Sequence, residues 1–170
     1  MEKRSIKAKF KRSFAGGTAV LLILLALLPV RLANAEGSSV EGAKTPPPPI
    51  EAGLVQPFGV FDPNHKYLDS GSATLSNDGD GKVVVSGRTT AKQTVDTVGV
   101  STLVQRWTGS TWVDVGSTST STATNRSTVY GSESRELSTG YYYRIKSTHW
   151  AKKGDTTEQG VKYTGSILVN

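Results

Sequence analysis

Three tryptophans are the residues of this chain best suited to hold a ligand: Trp107, Trp112 and Trp150. An exposed indole stacks on the apolar face of a sugar ring, and Gln105, two residues before Trp107, would supply the hydrogen-bond partner such a platform needs. The same rings also read as volume for a core that is poor in leucine, with Trp107 and Trp112 set against each other across a hairpin, and for those two this reading comes first. Trp150, just before Ala151-Lys152-Lys153 at a strand end, is expected to be the most exposed.

Catalysis has little to stand on, so the chain is expected to be non-enzymatic, with no catalytic residue, no metal and no cofactor. It holds two histidines, His65 and His149, no cysteine, and neither an HExxH nor a GxSxG arrangement. His149 reads as a satisfied structural histidine. Serines are so abundant that none singles out a Ser-His-Asp constellation. Nothing in the spacing of Glu133, Glu136 and Glu158 selects a glycosidase pair. Asn77-Asp78-Gly79-Asp80-Gly81 echoes a calcium loop, but with Asp78 and Asp80 as third and fifth positions the bidentate glutamate falls on Gly87. The segment therefore reads as a tight turn.

The elements that position these residues are strands. From Tyr141 to Thr148, Tyr141, Tyr143, Ile145 and Ser147 alternate with Tyr142, Arg144, Lys146 and Thr148, which predicts a half-buried strand with the tyrosine 143 face inward and Arg144 and Lys146 toward water. Leu137, Gly140 and Tyr143 stand at the spacing of the tyrosine corner of immunoglobulin-like and fibronectin-like sandwiches, which they resemble; there a tyrosine hydroxyl bonds backbone a few residues upstream. Val98, Val100, Thr102 and Val104 share one face of a hairpin that turns at Thr108-Gly109-Ser110 and returns through Trp112 to Val115. Ser117 to Ser127 suits an exposed edge strand or a loop. Short strands and turns recur from residue 70 to 170, with no helical period. The expected fold class is all-β, an immunoglobulin/fibronectin-like antiparallel β-sandwich of about seven to eight strands.

Residues 1–35 read as a signal peptide: a basic start, an apolar run from Ala19 to Leu28, and a small-x-small cleavage site at Ala33 and Ala35. The formal net charge of +6 belongs to that segment, because seven of the 20 Lys+Arg lie in it against one of the 14 Asp+Glu. The remainder is formally neutral, which removes any argument for nucleic-acid binding. No membrane span is expected after cleavage, and the zero cysteine count with so long a basic start points to a Gram-positive exporter. Residues 36–69 are expected as a disordered, Pro-rich linker, with Pro46 to Pro49 as a stiff spacer and Phe58 to Leu68 as an irregular flap.

Asn77-Asp-Gly-Asp-Gly-Lys-Val, Gln105-Arg-Trp-Thr-Gly-Ser-Thr-Trp-Val and Gly140-Tyr-Tyr-Tyr-Arg-Ile with His149 resemble an uncharacterised family of exported Gram-positive bacterial proteins, catalogued as a domain of unknown function. The resemblance implies location and a β-sandwich fold, and no mechanism. The expected role is a binding module, secreted or associated with the cell wall, for cell-wall or extracellular polysaccharide or protein. A secreted effector or bacteriocin-like protein and an enzyme with an unrecognised site are the alternatives.

Overall fold

The computed structural model describes residues 40–49 and 61–170, all within one compact unit, Ala35–Asn170. The signal segment, its residues Ala33 and Ala35 and the flap residues 58–60 lie outside the described residues. Among the described residues there is no helix. Six antiparallel strands follow one another: β1 Leu68–Gly79, β2 Lys82–Trp107, β3 Trp112–Glu136, β4 Tyr141–Lys153, β5 Thr156–Tyr163 and β6 Ile167–Val169. The turns use the chemistry their geometry needs. Asp80-Gly81 reverses β1 into β2 with both φ angles positive, 51° and 77°, as a type I′ hairpin requires. At the β2–β3 turn the Thr108 N–H and hydroxyl both donate to the Thr111 carbonyl, while the Thr111 N–H donates back to the Thr108 hydroxyl.

The sheet is built on β2. One of its edges pairs with β3 from Trp107↔Trp112 to Lys82↔Glu136. The other edge pairs first with β1, through Ala91, and then with β4, from Thr97 to Arg106. The ladder is irregular between Thr90 and Val95, and there the sheet curls so that its two halves face each other. Alternation fills the space between them. Leu75 of β1 with Val83 and Val85 of the first arm of β2 packs with Val104, Tyr143, Ile145 and Val169. Nearer the bend, Leu68, Ala91, Val95, Val98, Val100 and Ala151 form a second cluster, against which Phe61 packs.

Three expectations need correction. The strands number six, not seven to eight, because β2 and β3 run unbroken for 26 and 25 residues, β3 taking in the whole Ser/Thr-rich Ser117 to Ser127 stretch. That stretch lacks proline, and its hydroxyls tolerate either face, so β2 templates it as a strand. Residues 40–49, expected free of the domain, lie against it: the Lys44 N–H donates to the Gly140 carbonyl at 2.7 Å, and the Trp107 indole N–H to the Pro46 carbonyl at 3.1 Å. Trp150, expected at a strand end, sits inside β4 between Gly99 and Gln159.

Candidate functional site

The three tryptophans and Gln105 fall on one surface, the outward face of the half formed by β4, β5 and the second arms of β2 and β3. Strand alternation sends Val98, Val100, Thr102 and Val104 inward, so Gly99, Ser101, Leu103, Gln105 and Trp107 point outward. The registers then lay out cross-strand rows: Trp112 beside Trp107; Asp114, Gln105 and Arg144; Leu103, Lys146 and Tyr163; Gly99, Trp150 and Gln159. From the row of Trp112 to the row of Trp150 the face runs about 26 Å, eight residues of strand.

Arg144 is the hub of this face. Its guanidinium lies 4.3 Å from the Trp112 ring centroid and 4.5 Å from that of Tyr163, a cation held between two π faces. Its Nε donates to Gln105 Oε1 at 3.0 Å, and Gln105 Nε2 donates to Asp114 Oδ1 at 2.8 Å. Trp107 and Trp112 pack at 5.4 Å between centroids with their planes 51° apart, the tilted pairing that aromatic quadrupoles favour. At the other end the Trp150 ring lies on Gly99, where a Cβ would fall within 2.1 Å of two ring atoms. Only glycine leaves space for that ring to lie flat on the neighbouring strand.

These positions revise the site. Trp107 is 6% exposed with its N–H bonded to Pro46, and Gln105 is 8% exposed with its amide committed to Asp114 and Arg144. Neither meets solvent; Gln105 orients Arg144 instead. Trp112 and Trp150 are half-buried and keep ring surface outward. Tyr163 and Val161, both exposed, join them. Neither was singled out, because β5 shows no aromatic clustering in the sequence; the outward alternation of Arg144 was the available signal.

The other candidates have structural partners. The Tyr143 hydroxyl donates to the Ser138 carbonyl at 2.9 Å, and Gly140 ahead of it takes φ 85°, a left-handed value that glycine adopts without strain. Burial pushes the Tyr143 pKa up, against the Arg106 guanidinium beside it. His149 is fully buried, with Nδ1 2.7 Å from Thr89 Oγ1 and Nε2 2.9 Å from Ser147 Oγ. Burial, and then the Lys162 ammonium, lower its pKa to about 4. Glu158 accepts the N–H groups of Lys66, Tyr67 and Leu68 at 2.6, 2.7 and 2.7 Å, pinning the flap to β5. Against the burial that would raise its pKa, these three donors hold that carboxyl below its ordinary value. Glu133 pairs with Arg135 at 2.5 Å. Asn77 Oδ1 accepts from the Gly79 N–H, a turn contact, and among the described residues no three His, Cys, Asp or Glu converge as metal ligands. Where the two arms of β3 face each other, a cleft of about 10 Å³ opens beside Val85, Val100, Ser121 and Glu133, room for about one water.

The fold and this face define an all-β protein with a flat aromatic surface. No helix among the described residues is long and apolar enough to cross a membrane. No family model and no curated protein matches the chain. Among solved structures it is similar to the solution structure of R. palustris CsgH, with 17% identity and a TM-score of 0.33 over 54% of this chain and 88% of that one. It is also similar to a protein from Archaeoglobus fulgidus, with 15% identity and a TM-score of 0.35 over 61% of this chain and 98% of that one.

Proposed function

We propose that the chain is an exported, non-enzymatic binding module of the immunoglobulin-like sandwich type that holds an extended polymer, cell-wall or extracellular polysaccharide or protein, at or beyond the surface of a Gram-positive cell. The two halves of the curled sheet facing each other across a shared apolar core support the sandwich reading. The observation that carries the functional reading is Arg144 stacked between Trp112 and Tyr163 on an outward face. A guanidinium between two rings fixes both rings in place at small entropic cost, so the platform is formed before a ligand arrives. A flat face about 26 Å long suits a chain of sugar rings lying along the strands better than a single small molecule.

The test is co-sedimentation of the purified protein with peptidoglycan sacculi and insoluble polysaccharides. Trp112→Ala and Tyr163→Ala should each weaken binding about fivefold, as loss of one stacking ring predicts. Tyr130→Ala, an exposed aromatic on the other half of the sheet, should leave it unchanged. Retained binding in a folded Trp112→Ala, Tyr163→Ala double variant would overturn the reading.

A further inference from the structure

Two aromatic side chains on the outward face are buried without belonging to the core. The row Trp112, Trp107, Tyr142, Leu168 crosses β3, β2, β4 and β6: Trp112 pairs with Trp107 and Tyr142 with Leu168, and the β2–β4 register, which ends at Arg106↔Tyr143, continues to set Trp107 beside Tyr142. Trp107 is 6% exposed and Tyr142 7%. The strap of residues 40–49 crosses this end of the sheet. It is tied at Lys44 to the Gly140 carbonyl ahead of β4 and at Pro46 to the Trp107 indole, and Thr45 and Pro46 reach the β2–β3 turn at Gly109.

The chemistry of that contact is specific. Prolines at 46 to 49 have a fixed φ and no N–H, so a polyproline II strand of them offers apolar rings and carbonyl acceptors with no donors of its own. An aromatic row with an indole N–H directed at a proline carbonyl is the complementary surface. The row also holds a donor that the strap leaves unused: the Tyr142 hydroxyl is buried and has no hydrogen-bond partner among the described residues. Such a group normally finds an acceptor when buried, and a longer or better-registered proline segment offers one at its carbonyls.

We propose that the Trp107–Tyr142 row is a receptor for proline-rich extended peptides, filled in cis by Thr45–Pro49, and that a partner's polyproline II segment displaces the strap by bonding Tyr142 as well as Trp107. A tethered occupant competes at an effective concentration on the order of millimolar, so the intact protein binds in trans weakly until the strap is loosened.

A fluorescein-labelled proline decapeptide, followed by polarisation, reads this directly. A Pro46→Ser, Pro47→Ser variant of the full chain should bind it at least tenfold more tightly than the unaltered protein. In that background Tyr142→Phe, which keeps the ring and deletes the donor, and Trp107→Phe, which deletes the donor and replaces the indole by a smaller ring, should weaken binding about fivefold each. Because Trp107→Phe puts packing at risk, the nitrogen-15 spectrum of the strap variant gives a second reading: the Trp107 indole resonance should shift on adding the peptide. A folded strap variant that binds the decapeptide no better than a Gly-Ser control, or whose Trp107 resonance stays put, overturns the proposal. So does binding that soluble glycan, and not excess unlabelled decapeptide, competes away.

Discussion

Acidifying the protein from pH 7 to pH 5 should remove about 2 kcal/mol of stability through His149 alone. The ring is closed in by both halves of the sheet, with Phe61 5.4 Å away between centroids. The Thr89 hydroxyl lies between the Gly99 carbonyl and Nδ1, and the Ser147 hydroxyl between the Lys162 carbonyl and Nε2, so both ring nitrogens have partners inside the fold. Burial keeps that ring a neutral imidazole at pH 7. With a folded pKa of about 4 against 6.5, the unfolded chain takes up a proton that the folded one refuses, and stability rises with pH across that window. The contribution is fully present above pH 6.5, falls by about 1.4 kcal/mol per unit below it, and reaches a total loss of about 3 kcal/mol under pH 4. At pH 5 the 2 kcal/mol deficit corresponds to a fall in Tm of about 5–10 °C. The Glu158 carboxyl adds a loss of the same sign only below its ordinary value of 4.5, outside the window. Urea unfolding followed by tryptophan fluorescence at pH 7.5, 6.5, 5.5 and 5.0 measures the slope, and His149→Gln, which keeps a donor and an acceptor without titrating, provides the comparison. The midpoint should drop with pH in the unaltered protein and stay level in the variant. Equal slopes in the two proteins would refute the reasoning.

Two further outcomes test the contacts that hold the ends of the domain. Tyr143→Phe keeps the ring and removes the hydroxyl that donates to the Ser138 carbonyl and sits beside the Arg106 guanidinium, so it should cost about 1 kcal/mol in urea unfolding at neutral pH; an unchanged midpoint would mean the hydroxyl contributes nothing. Glu158→Gln loses the charge from a cap on three N–H groups and should cost about 1–2 kcal/mol above pH 5, where the carboxylate is ionised. Faster hydrogen exchange at Lys66 to Leu68, with the β2 amides unaffected, would accompany it, and protection that stays the same would show that the flap is held by packing alone.

The legible parts of this fold are local. Tyr143 and Gly140 are close enough in sequence for their spacing to report the corner contact, and the alternation from Tyr141 to Thr148 reports the inward and outward faces of β4 because β4 is covered on one side by the core. The length of β2 was not legible. Ser86-Gly87 and the polar Thr89 to Gln93 segment interrupt its apolar pattern, and what keeps the strand continuous is pairing to β3 on one edge and to β1 or β4 on the other. The burial of Trp107 and Gln105 was hidden for a different reason. Each faces outward, and each is covered by a partner remote in sequence or folded back from another strand: Pro46 for the indole, Arg144 and Asp114 for the amide. A run of four prolines reads as a spacer unless the surface it rests on is known. Gly99 likewise reads as a weak point in a strand, and only the pairing with Trp150, 51 positions away, gives it a reason.

Because one 26-residue strand belongs to both halves of the sheet, the domain has no internal seam. A break anywhere from Lys82 to Trp107 severs a strand that β1, β3 and β4 all need as a neighbour, whereas opening the chain at Gly154-Asp155 parts only the β4–β5 hairpin. The molecule therefore cannot be divided into two smaller folding pieces at its bend, even though the two faces that the bend creates carry different side chains. New sequence can be added at the ends of strands, and specificity can drift on one face without touching the other, but the two faces are obliged to travel together as a single unit of inheritance.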